Sequence, residues 1–140
     1  MNLPQCRILP IFGDWHLFMS GGGIVLAVDH QRDFADATRR SINRHELESV
    51  VHVCHAPLTA VTIDQTTWHW YDVATFSDVR DIDLLIVDGP AQHGVDRDMV
   101  RYPALPILRS RLASGAHILV DDADRVHERR IVERWTSEFP

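Results

Sequence analysis

The sequence predicts an α/β fold, a doubly wound parallel sheet. Three observations carry that prediction. The most apolar segments, residues 24–28, 84–87 and 118–120, are short and uninterrupted, as strands covered on both faces are. Segments of helical period lie between them, which calls for right-handed crossovers and parallel pairing. Length and composition suit a single core: 140 residues, 45% of them apolar, make one domain and exclude disorder as the main state.

Residues 1–20 show no clean period and read as an irregular N-terminal segment, with residues 21–140 as the domain proper. A short strand over 7–12 is interrupted by Pro4, Pro10 and Gly13. Gly21, Gly22 and Gly23 form a turn into the first clear strand, 24–29, which ends on Asp29. Phe34, Ala37, Thr38, Ser41, Ile42 and His45 then recur at helical spacing, with Asp33 placed to cap the first turn. Residues 50–54 form the next strand, stopped by Pro57. Residues 58–63 add a short piece, and 68–72 lead into a weak helix through Val79.

Residues 82–88 are a strand ended by Gly89-Pro90, and a polar loop follows over 91–100. Pro103 and Pro106 open a helix that carries Leu105, Leu108 and Leu112 and closes at Gly115. Residues 116–122 form the fourth clear strand. The last helix begins near Asp124 and buries the stem of Glu128 together with Ile131, Val132 and Trp135.

Composition excludes several functions. The net charge of −6 argues against a nucleic-acid partner. The longest apolar stretch is far shorter than the ~20 residues of a membrane span. The N-terminus lacks the basic and apolar regions of a signal peptide. With Cys6 and Cys54 as the only cysteines, a cytoplasmic location is expected. All 14 basic residues are arginine, so there is no lysine for a Schiff base or for the phosphate grip of a P-loop.

The strand-end acids are the main functional signal. Asp29, Asp88 and the pair Asp121-Asp122 each close a strand, and in an open parallel sheet ligands sit beyond that edge. Asp29 suits a ribose-hydroxyl acceptor. Asp88, Asp121 and Asp122 offer hard oxygen ligands for Mg²⁺ or Ca²⁺, or a general base. The same residues also suit helix caps and turns. His52, Cys54 and His55 resemble a metal-ligand trio, but strand alternation puts His55 on the opposite face from the other two, and core and loop roles suit them better. His30 and His93 follow two of the acids, and His93 is a candidate base.

Taken in order, these segments resemble class I methyltransferases dependent on S-adenosylmethionine (SAM). The run Gly21-Gly22-Gly23-Ile24-Val25-Leu26-Ala27-Val28-Asp29-His30, with Phe34-Ala35 and Thr38-Arg39, is similar to that family's second strand and helix. His52-Val53-Cys54-His55-Ala56-Pro57-Leu58 resembles its third strand and the turn beside adenine. Leu84-Leu85-Ile86-Val87-Asp88-Gly89-Pro90 resembles its fourth strand, and residues 101–106 and 118–125 its next helix and fifth strand. The resemblance implies a three-layer α/β/α Rossmann-like parallel sheet, truncated at both ends. The family's glycine-rich first-strand motif and its last strands have no counterpart. A missing central strand would leave backbone groups unpaired and favour self-association, unless residues 5–12 or a second chain fill the gap.

The resemblance further implies SAM as cofactor, held by Asp29, His30, His55, Ala56, Asp88 and Gly89, with methyl transfer to an oxygen of a small molecule. In the metal-dependent members, acids like Asp88 and Asp121-Asp122 hold the ion, although Asp122 stands where asparagine is usual. Two other readings use the same residues: a non-catalytic binding module, favoured by the missing glycine turn, and a Mg²⁺-dependent phosphoryl-transfer or hydrolytic enzyme, disfavoured by the lack of lysine.

Overall fold

In the computed structural model, residues 6–11, 23–91 and 98–140 are described. The strands are β1 (Cys6–Ile11), β2 (Ile24–Asp29), β3 (Val51–His55), β4 (Leu58–Ile63), β5 (Thr66–Tyr71), β6 (Ile82–Val87) and β7 (Leu112–Val120). The helices are α1 (Arg32–Arg44), α2 (Ala104–Leu108) and α3 (Val126–Glu138), with 3-10 turns at Val73–Phe76 and Arg109–Arg111. None of the described helices is long and apolar enough to cross a membrane.

Five strands form a sheet in the order β3-β2-β1-β6-β7, every pair parallel, and β4 and β5 form a separate antiparallel ribbon. The expected three-layer α/β/α Rossmann-like sheet, truncated at both ends, is therefore corrected. Strands divide between two sheets of opposite pairing, and of the three described α-helices one is only five residues long. Two local causes account for the difference.

The first lies at residues 58–71. They fold back through a two-residue turn, Asp64-Gln65, both with positive φ (47° and 67°), the twist a tight hairpin demands. The ribbon buries Trp70 and Tyr71, so residues expected to lead into a helix instead form β5. The second lies at residues 103–115. Leu112 pairs with Ile82 and begins β7, which cuts the expected helix to the five residues of α2. Gly115, expected to close that helix, sits inside β7 at φ +79°, beside a break in register with β6.

Smaller differences follow the same lines. Gln31, not Asp33, occupies the N-cap of α1, and Asp33 falls in its first turn. Helix α3 begins at Val126 rather than near Asp124. It buries Glu128, Ile131 and Trp135, but Val132 is 37% exposed.

At the sheet's centre, β1 pairs Ile8 through Ile11 with Leu84 through Val87 on one side, and Cys6 and Ile8 with Ile24 and Val25 on the other. The neighbours of the central position thus find backbone partners within the chain. Pro10, which supplies no N–H, stands opposite Ile86 in that ladder. One hydrophobic cluster joins β2, β6, the ribbon, α2 and α3. Trp135 anchors α3 there by donating its indole N–H to the Tyr102 carbonyl at 3.0 Å.

Candidate functional site

Register brings the strand-end acids to one edge. Asp29 lies opposite His55, and Val87 opposite both Ile11 and Val120, so Asp29, Asp88 and Asp121 leave the sheet at the same end.

Asp29 closes a strand buried along most of its length and is itself 3% exposed. Its Oδ1 accepts the Gln31 amide at 2.8 Å, and His30 Nδ1 lies 3.6 Å away. Its Oδ2 is buried and has no hydrogen-bond partner among the described residues. Burial pushes the carboxyl up from its ordinary value, opposed by the Gln31 amide and by the charges of His30 and His55. The surroundings are compact. Ala56 N–H donates to the Asp29 carbonyl at 2.8 Å, His55 Nε2 lies 3.2 Å from the His30 carbonyl, and the His30 ring meets Tyr71 edge-on at 6.1 Å. Burial, then the nearby Asp29 charge, raises the Tyr71 hydroxyl far above its usual range. Chemically this corner is an acceptor with one buried, unpartnered oxygen, of a kind that takes a hydroxyl donor.

The second corner is acidic. Carboxylate oxygens of Asp88, Asp121 and Asp122 all lie within 4.8 Å of one another, and among the described residues this is the group with the makings of a metal-ligand set. Asp122 closes the turn at φ +56°, a conformation aspartate tolerates better than most residues. Burial pushes Asp88 up to about 7, helped by a side-chain hydrogen bond with Asp121 and by repulsion from Asp121 and Asp122. Gly89 beside it is buried.

A cation already stands in this corner. Arg101, 4% exposed, places Nη2 3.5 Å from Asp88 Oδ1 and 4.0 Å from Asp122 Oδ2. Its Nη1 lies 3.5 Å from Glu128 Oε1 and donates to the Asp121 carbonyl at 3.2 Å. Arg125 adds a second guanidinium, 2.8 Å from Asp122. The three acids have the donor chemistry of a Mg²⁺ or Ca²⁺ site, but a nitrogen of Arg101 stands within reach of two of them, and the set does not fit an ion as it stands.

Asp29, His30, His55 and Ala56 are therefore brought together at one corner, and Asp88, Gly89, Asp121 and Asp122 at the other. His93 lies outside the described residues. Cys54 points its thiol towards the Thr75 carbonyl at 3.5 Å, and no metal-ligand group among the described residues contains His52, Cys54 or His55.

Sequence reading missed Arg101 and Tyr71. A clustering of acids at two neighbouring strand ends demands a counter-charge, and Arg101, on the segment joining those strands, was the signal for the first. Tyr71 gave none, because its placement depends on the hairpin. A cleft of about 290 Å³ opens between the ribbon and the chain after β6, bordered by Leu58, Trp68, His69, Ala91 and Val100.

Comparison of the chain with protein-family models, with curated proteins and with solved structures finds no match to any of them.

Proposed function

We propose that this protein binds SAM at the strand-end edge and transfers its methyl group to an oxygen of a small molecule, in the cytoplasm. The observation that carries the reading is the buried, unpartnered Oδ2 of Asp29. An acid at the end of this strand, with one oxygen held by a backbone amide and the other without a partner, suits a ribose diol.

Bound there, SAM would supply an electrophilic methyl carbon. The chain's own groups bind and orient. Asp29 accepts from ribose hydroxyls, with His30, His55 and Ala56 around it. Asp88 and Gly89, at the neighbouring strand end, border the donor end. Asp88, with a carboxyl near neutrality and a hydrogen-bonded partner in Asp121, suits the task of taking the proton from an acceptor hydroxyl. The cleft beside Trp68 and Ala91 suits the acceptor. A non-catalytic binding module remains the second reading, favoured by the engagement of Asp88 and Asp122 by Arg101.

Calorimetry with S-adenosylhomocysteine tests the proposal. Wild-type protein is expected to bind. Asp29→Ala is expected to lose about 1.5–3 kcal/mol, as for a hydrogen bond to a charged group. Failure of the wild type to bind refutes the reading. Binding without methyl transfer to any of a panel of phenols and alcohols favours the module.

A further inference from the structure

The geometry points to Arg101 as the resident cation of the Asp88–Asp121–Asp122 cluster, so that the cluster is a metal-independent site. A calcium ion takes about six to eight oxygen ligands at ~2.3–2.6 Å, and magnesium about six at ~2.0–2.1 Å. An ion shared by these carboxylates would lie among them, where Arg101 Nη2 is already 3.5 Å from Asp88 and 4.0 Å from Asp122. A further cation in this half-buried corner would be repelled by both guanidiniums, Arg101 and Arg125. The guanidinium is not free to withdraw. Its other nitrogen faces Glu128 of α3, 2% exposed, and the Asp121 carbonyl. Moving it away would strand both a buried cation and a buried carboxylate, which costs more than the pair itself is worth.

The planar fork of arginine suits this role better than a point charge, because it spans three chain segments at once: the ends of β6 and β7 and the first turn of α3. Arg101 Nε and Glu128 Oε2 have no hydrogen-bond partner among the described residues, so charge rather than complete hydrogen bonding holds the pair. The inference stands apart from the methyl-transfer reading, and its test reads cation binding alone. Failure of S-adenosylhomocysteine to bind leaves it intact.

The full chain is melted with EDTA and with millimolar MgCl₂ or CaCl₂, and its uptake of Mn²⁺ is followed by loss of the free-ion paramagnetic resonance signal. Wild type is expected to show the same melting temperature throughout and to retain no Mn²⁺. Arg101→Gln is expected to melt lower at neutral pH and to be raised by the same ions, since Asp88 and Glu128 lose their cation and Asp122 keeps only Arg125. Stoichiometric Mn²⁺ retention by the wild type, abolished in Asp88→Asn, overturns the inference. So does an Arg101→Gln protein as stable as wild type. If Arg101→Gln does not fold, the triple variant R101Q/D88N/E128Q, which also neutralises the buried Glu128, decides. A cooperative melt in that variant shows that the lost charge was the fault, and its absence assigns Arg101 to packing and overturns the inference.

Discussion

Replacing Asp29 with asparagine separates what this side chain does for a ligand from what it does to the fold. The carboxyl is 3% exposed, one oxygen is satisfied by Gln31, and the other is buried with no partner among the described residues. Its pKa is raised above 3.8 by burial, against the pull of the Gln31 amide and of His30 and His55. A raised folded-state value means that the protonated form folds better. The stabilising state is fully present below the unfolded pKa, and stability is lost as pH rises through the folded one. Asparagine keeps the oxygen that Gln31 needs and removes the charge. A buried unsatisfied group costs about 1–3 kcal/mol, more when charged, so Asp29→Asn should be more stable than wild type by roughly 1–2 kcal/mol at pH 7. The gain should shrink as pH falls through 3.8, below which the wild-type carboxyl is neutral in both states. Urea unfolding of both proteins across that range measures the difference directly. A variant less stable than wild type at pH 7, or a difference that does not grow with pH, refutes the account and means that the neighbouring imidazoles hold the carboxylate favourably.

Two further outcomes concern the scaffold. Trp135→Ala removes a 5%-exposed ring and its bond to the Tyr102 carbonyl, and chemical denaturation should show a loss of about 3–5 kcal/mol. Gln65→Gly relieves a left-handed residue at φ 67° in the β4–β5 turn, and the same measurement should show a gain of about 1 kcal/mol.

Strands β2 and β6 were legible because residues 24–28 and 84–87 are unbroken apolar runs, and the acids that close those runs, Asp29 and Asp88, marked the edge where the acids gather. The ribbon was not legible. Its turn is Asp64-Gln65, without the glycine that usually announces such a hairpin. The short α2 was misread because Leu105, Leu108 and Leu112 keep helical spacing even though Leu112 belongs to β7. Pro10 looked like a strand breaker, yet it sits in the central ladder, where long-range pairing overrides a local preference. At the site, Asp29 and its neighbours could be read from chain order, because register carried them to one edge. Arg101 required knowing that two strand ends meet.

The central place of β1 has a kinetic consequence. Its neighbour β2 follows after 12 residues, but Ile8 meets Leu84 only after 75 intervening positions of chain have been drawn together. Closing a loop of that length is entropically slow compared with closing the β4–β5 ribbon, whose strands are joined by two residues. During synthesis β1 therefore waits until β6 has left the ribosome. The ribbon and α1 are complete by then, and the edge that carries Asp29 and Asp88 becomes one surface only when the oldest and youngest halves of the sheet close on β1.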